Sequence, residues 1–319
     1  MTRLSGSAVK QTGAGARAEE YRRAERELWA QFGITATERT VELPSYGVGL
    51  RIVEAGEGTP VVLVPGTGGV GPYWAPLVSR LEGFRCLMMD RPGWGLSPPI
   101  DFRRFDYKTV VADLLRETLD GLGLDHASFV GASVGGLWAL RFAAAYPHRL
   151  DRAVPVGAPT QAAAPPAYIR MLASPLGALM VRVPAGEAQT RSILRQLGHR
   201  QSIESGRFPE SVLTWRVAFQ KLTDSLRNER EMVRAVVHGS HFRPGFTFED
   251  DELARIPQPV LQVVGGSDPV GDPAQWRHSA ETLPRGVLRV LDGAGHTPWL
   301  DDPVTVGGWV SAFLRGEDT

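Results

Sequence analysis

Ser133, His296 and Asp268 are the side chains in this 319-residue sequence whose types and settings suit nucleophilic acyl transfer. Ser133 stands in Gly131-Ala132-Ser133-Val134-Gly135, which fits the spacing G-x-S-x-G. A short apolar run, Ala127 to Val130, precedes it, and a helical pattern from Val134 through Tyr146 follows. That order predicts a sharp strand-to-helix turn with the serine at its tip, its backbone strained and its hydroxyl exposed. The residues two before and two after the serine approach closely in such a turn, and glycine at both avoids a clash of β-carbons. The free N–H groups of the helix N-terminus aim at the same place, where an oxyanion could be held.

A serine hydroxyl needs a histidine base, and the histidine needs a carboxylate to hold its tautomer and stabilise the imidazolium. In open parallel sheets such groups gather beyond the carboxyl ends of the strands. Of the seven histidines, His126 precedes a strand and His148 follows the helix after Ser133, so both belong to the opposite edge. His199, His238 and His241 fall in a long helical stretch, and His278 falls on a helical pattern. His296 follows a strand directly, in Asp292-Gly-Ala-Gly-His-Thr-Pro-Trp-Leu300, where the glycines suit a tight loop presenting the imidazole.

For the acid, the loop after Val264 reads Gly265-Gly-Ser-Asp-Pro-Val-Gly-Asp-Pro273 and offers Asp268 and Asp272. Asp272 stands just before Pro273 and a helical pattern, as a helix N-cap does. Asp268 lies closer to the strand end and is the expected partner of His296. The loop after Val156, Gly157-Ala-Pro-Thr160, contains no carboxylate. An oxyanion needs two preorganised N–H donors. Val134 is expected to supply one, and Thr67, following Pro65-Gly66 after the apolar run Pro60 to Val64, the other. Tyr73, Trp74 and Trp94 stand in loops after strands and are expected to line the substrate pocket.

The elements that must position these groups alternate. Thr40–Leu43 and Val48–Val53 read as a hairpin joined through Pro44 to Gly47. Pro60–Val64, Phe84–Met89, Arg152–Val156, Pro259–Val264 and Val287–Leu291 read as strands, mostly buried on both faces. Helices are expected at Ala18–Phe32, Tyr107–Leu122 and Pro303–Leu314. Alternation of this kind implies an α/β fold with a mainly parallel sheet flanked by helices. It lapses between residues 161 and 246, where helices are expected at Ala167–Val181, Glu187–Gly198, Glu210–Leu226 and Glu229–His238. The expected organisation is therefore a tail at 1–17, a core of 18–160 and 247–319, and a helical cap at 161–246. Met171, Leu172, Leu176, Leu179 and Met180 form an apolar face at helical spacing. It is expected to close a lid over an apolar pocket or to pack the insertion onto the core.

Bulk properties narrow the partners. Formal net charge is zero, with 43% hydrophobic and 22% charged residues, which favours neither nucleic acid nor an anionic membrane. Cys86 is the only cysteine, which excludes an internal disulfide and a thiolate metal cluster. His238 and His241 lack a third ligand, so no metal and no cofactor is expected. No apolar run approaches membrane-spanning length, and Met1 to Ala16 lack the apolar core of a secretory signal. The expected compartment is the cytoplasm, the expected partner a small-molecule substrate, and the expected state a monomer or homodimer.

Taken together, the order Ser133, Asp268, His296, the Gly-Ala-Ser-Val-Gly-Gly turn, the Asp90-Arg-Pro-Gly-Trp-Gly-Leu-Ser loop and Gly-Ala-Gly-His-Thr-Pro resemble the α/β-hydrolase superfamily. The resemblance covers roughly Thr40 to Leu314 and places the insertion at the family's cap position. It implies an eight-stranded sheet, and it supports Asp268 because Gly265-Gly-Ser-Asp268 matches the family's Gly-x-x-Asp. The family's oxyanion loop usually begins His-Gly, whereas here it begins Pro65-Gly66. Dehalogenases and epoxide hydrolases of this fold carry aspartate where Ser133 stands, and proline-specific peptidases follow the serine with tryptophan where Val134 stands. The remaining expectation is a serine hydrolase of an ester, lactone or thioester. Its rivals are a carbon–carbon bond hydrolase, a biosynthetic acyl transfer or cyclisation at the same site, and a small-ligand binding protein without turnover.

Overall fold

The computed structural model describes residues 5–161, 164–183 and 185–317. Its strands are β1 Ala36–Leu43, β2 Val48–Ala55, β3 Thr59–Val64, β4 Phe84–Met89, β5 Ala127–Ala132, β6 Leu150–Val156, β7 Val237–His238, β8 His241–Phe242, β9 Val260–Gly265 and β10 Gly286–Leu291. Eight of them form one sheet in the order β1-β2-β4-β3-β5-β6-β9-β10, and β7 pairs only with β8. β1 and β2 make the expected hairpin, with Leu43 opposite Val48. β2 runs antiparallel to β4, and the remaining neighbours are parallel. All six residues of β5 and of β9 are buried, as central strands covered on both faces must be.

The helices before the insertion are α1 Ser5–Gln31, α2 Ala75–Val78, α3 Tyr107–Leu122 and α4 Val134–Ala145. Sequence sets the ends of α3 clearly. The Asp106 carboxylate accepts from the Thr109 N–H at its start, and Gly123 at φ +71° ends it in the left-handed conformation. Its apolar stripe, Val110, Val111, Leu114, Leu115 and Leu119, is buried. α1 starts at Ser5, so most of the segment expected as a tail is helical backbone continuous with the expected helix; residues 1–4 lie outside the described residues.

Between β6 and β9 come α5 Ala167–Ala173, α6 Pro175–Met180, α7 Glu187–Leu194, a wide turn Arg195–His199, α8 Arg200–Glu204, α9 Glu210–Leu222 and α10 Ser225–Val236. β7, β8 and α11 Asp250–Leu253 follow. The ends of this insertion meet where Phe248 N–H donates to the Thr160 carbonyl at 2.8 Å. The single helix expected over Ala167–Val181 is two helices. Ser174 is extended and its hydroxyl caps the second through the Gly177 N–H, while Pro175 removes the N–H that continuation would need. Met171, Leu176, Leu179 and Met180 on these helices are exposed rather than packed on the sheet. α12 Pro273–Thr282 and α13 Pro303–Arg315 complete the chain. No helix among the described residues is long and apolar enough to cross a membrane.

Candidate active site

Ser133 is the one non-glycine residue with positive φ among the described residues, at φ 50° and ψ −120°. A conformation of this kind costs about 1–3 kcal/mol and persists only where its surroundings enforce it. Here β5 ends at Ala132, α4 starts at Val134, and the Ser133 N–H donates to the Val156 carbonyl at 2.8 Å. The flanking glycines are needed because the turn is so tight. A β-carbon on Gly135 would lie 2.1 Å from the Val64 carbonyl oxygen, and one on Gly131 would lie 2.4 Å from the Gly135 oxygen.

The loop after β6 joins this turn to His296. Gly157 follows the Val156 that holds Ser133, and a β-carbon there would lie 3.1 Å from His296 Nδ1 and 2.5 Å from the His296 carbonyl oxygen. His296 Nδ1 lies 2.8 Å from Asp268 Oδ2, and Asp268 Oδ1 accepts the Val270 N–H at 2.8 Å. Both side chains are buried. A carboxylate accepts only, so Nδ1 carries the proton and the free lone pair lies on Nε2. Among the described residues neither His296 Nε2 nor Ser133 Oγ makes a hydrogen bond, so the serine and the histidine are not hydrogen-bonded to each other. Asp272 does not reach the histidine: it caps α12, accepting the Ala274 N–H at 2.7 Å.

Beyond β3, the Thr67 N–H donates to no acceptor among the described residues. The Val134 N–H, first in its helix, has no intrahelical partner by geometry. A β-carbon on Gly66 would lie 2.9 Å from Ser133 Cβ, so this loop touches the serine turn. Two charged residues not foreseen as site residues hold it. Arg91 Nη2 donates to the Gly66 carbonyl at 2.8 Å, and the Thr67 hydroxyl donates to Glu229 Oε1, on α10, at 3.0 Å. Arg91 is fully buried, its guanidinium 4.0 Å from the Trp94 ring centroid and 4.0 Å from the Glu229 carboxylate. Burial pushes the Glu229 carboxyl up, against the opposing pull of Arg91 and the Thr67 hydroxyl. Arg91 stood in view in the loop after β4, but nothing in the local sequence of α10 marks Glu229, which meets the loop only through the tertiary fold.

The three aromatic residues expected to line a pocket are all buried. Trp74 has no exposed surface and stacks on Trp299 with ring centroids 4.5 Å apart. Trp94 lies beneath Arg91, and the Tyr73 hydroxyl pairs with the Thr297 hydroxyl at 3.1 Å. Trp74 and Trp94 are thus engaged by Trp299 and Arg91.

The family model for the alpha/beta hydrolase fold matches residues 59–303. The chain belongs to the α/β-hydrolase family. Within it, the chain is 26% identical over 255 residues to RutD of Stutzerimonas stutzeri (strain A1501), which bears the name of a carbamate hydrolase, covering 76% of this chain and 86% of that one. It is 28% identical over 256 residues to a 2-hydroxy-6-oxononadienedioate/2-hydroxy-6-oxononatrienedioate hydrolase of Pseudomonas putida, covering 77% of this chain and 85% of the relative. Among solved structures it is similar to the Bacillus subtilis carboxylesterase CesB, with a TM-score of 0.71 at 19% identity over 94% of this α/β-hydrolase and 99% of the other. At that identity the likeness is one of fold. Eight strands, one nearly parallel sheet and helices on its faces are common to the family and to this chain.

Proposed function

We propose that this α/β-hydrolase cleaves the ester, lactone or thioester bond of a small organic substrate through an acyl-enzyme on Ser133. The observation that carries the reading is the buried Asp268–His296 pair at 2.8 Å, across the Val156–Gly157 loop from a serine in a strained turn. Ser133 Oγ attacks the carbonyl carbon as His296 Nε2 takes its proton. The Thr67 and Val134 N–H groups receive the developing oxyanion. The protonated His296 gives its proton to the leaving group, takes one from the water that attacks the acyl-enzyme, and returns it to Ser133 Oγ as the bond to the acyl carbon breaks and the acid leaves. Asp268 keeps Nδ1 protonated throughout and stabilises the imidazolium. The helices of 161–246 act as a cap that bounds the substrate site. No metal or organic cofactor enters this scheme.

A second reading has its own observation. The half-buried Arg216 guanidinium, on α9, lies beside the oxyanion loop, 3.2 Å from where a β-carbon on Gly68 would be and 5.3 Å from the Tyr73 ring centroid. Among the described residues it makes no ion pair. A cation so placed suits a substrate that carries a carboxylate. The Pseudomonas putida relative is named for dienedioates, which carry two. In that reading the bond cleaved is carbon–carbon, next to a ketone attacked at the same site. A screen of aryl esters, lactones, thioesters, carbamates and keto-dienoic acids, with the Ser133→Ala protein as control, tests both. Serine-dependent ester turnover supports the first reading, serine-dependent loss of the dienoate chromophore supports the second, and turnover of neither class opposes both.

A further inference from the structure

His199 is the last residue of the wide turn after α7 and has no exposed surface. Its Nδ1 lies 2.8 Å from Asp301 Oδ2 and its Nε2 lies 2.9 Å from the Thr297 hydroxyl. The Thr297 hydroxyl in turn lies 3.1 Å from the Tyr73 hydroxyl. Asp301 also accepts the Gly295 N–H at 2.9 Å and the Ser202 hydroxyl. The His296 N–H donates to the Leu197 carbonyl, in the same turn as His199, at 2.8 Å. Three consecutive residues centred on the candidate base are therefore each held: Gly295 by Asp301, His296 by Leu197 and Thr297 by His199. The turn is wedged between the acid and base loops. A β-carbon on Gly198 would lie 2.3 Å from the Ser267 carbonyl oxygen and 2.9 Å from Gly295 Cα.

The hydrogens along this chain have one consistent direction. Asp301 accepts, so His199 Nδ1 donates and Nε2 is an acceptor. The Thr297 hydroxyl donates to Nε2, which leaves its oxygen to accept from the Tyr73 hydroxyl. Tyr73 to Thr297 to His199 to Asp301 is thus a closed donor chain from the loop beyond β3, through the base loop, into the insertion. Such a buried chain resists deletion of any member, because the neighbours are left unpaired away from water.

We propose that His199 is a positioning residue for His296, setting the base loop through Thr297 so that Nε2 faces Ser133. The proposal rests on the reading of His296 as the base. It assigns the insertion a share in building the site, beyond covering it.

Steady-state turnover of an aryl ester, with thermal unfolding alongside, tests this in the full chain. His199→Asn keeps the amide near the Nδ1 position and loses Thr297. His199→Gln reaches the Nε2 position and keeps it. Thr297→Val cuts the same link from the other side with little change of volume. Small misplacements of a reacting group cost up to about 100-fold. His199→Asn and Thr297→Val should each lower kcat roughly 10–100-fold with KM within about twofold, and His199→Gln should recover most of the loss. Wild-type kcat in His199→Asn or in Thr297→Val, with only the unfolding temperature lowered, overturns the proposal. His296→Ala in the same assay separates the two readings: if it retains turnover, the base assignment itself fails, whatever the His199 variants do.

Discussion

His296 and Asp268 are joined by a 2.8 Å hydrogen bond between Nδ1 and Oδ2, while Asp272, four residues further on, turns away to cap α12. Asparagine at position 268 keeps the shape but presents a donor to Nδ1 and favours the other tautomer. Turnover of Asp268→Asn should fall by up to about 10⁴. Asparagine caps helices nearly as well as aspartate, so Asp272→Asn should cost at most about 1 kcal/mol with activity kept. Both variants in one ester assay, with melting temperatures, check this; the reverse pattern would mean the wrong acid.

Much of this arrangement was legible locally. β4 and α3 have the bounds their apolar patterns predict, because a buried strand and an amphipathic helix write their burial into their own residues. Asp272 was readable as a cap from Pro273 alone. The break at Ser174 was missed by the expectation of one helix, although the Ser-Pro pair that ends one helix and starts the next carries it. Trp74 and Trp94 were not readable. An aromatic residue after a strand lines a pocket or fills a core according to what meets it, and Trp299 and Arg91 reach these two only in three dimensions. His199 looked unremarkable for the same reason: Thr297 and Asp301 are about a hundred residues away in sequence.

Trp74 is packed rather than presented, which predicts a separation of stability from binding. Trp74→Phe keeps an aromatic ring against Trp299 but loses part of the stack. It should lower stability by about 1 kcal/mol and leave KM unchanged. A several-fold rise in KM without loss of stability would return Trp74 to the substrate site.

Glu229 predicts a pH dependence of known sign. Burial raises its carboxyl above the unfolded value, so the folded state binds the proton more tightly. Its contribution to stability is fully present below the unfolded value and is lost as pH rises through the raised one. Glutamine imitates the protonated acid and still accepts from Thr67. Urea unfolding of Glu229→Gln should therefore show a smaller loss of stability than wild type as pH rises above the unfolded carboxyl value, with turnover retained. Glu229→Ala removes the acceptor of the Thr67 hydroxyl and should cost about 1–3 kcal/mol. Identical pH slopes in wild type and Glu229→Gln would contradict the assignment.

Arg216 discriminates substrates by charge. A charge-assisted hydrogen bond contributes about 1.5–3 kcal/mol, so Arg216→Gln should raise KM roughly 10–100-fold for a substrate bearing a carboxylate. A neutral aryl ester should be affected less than about threefold. Equal effects on both would remove the argument for an acidic substrate.

The central claim is that Ser133 forms the covalent intermediate, and intact-mass measurement after treatment with a fluorophosphonate tests it most directly. Wild-type protein should gain one adduct, mapped to the peptide containing Ser133, and Ser133→Ala, folded to the same melting temperature, should gain none. Full labelling of Ser133→Ala, or an adduct on wild type at any other serine, would contradict the account.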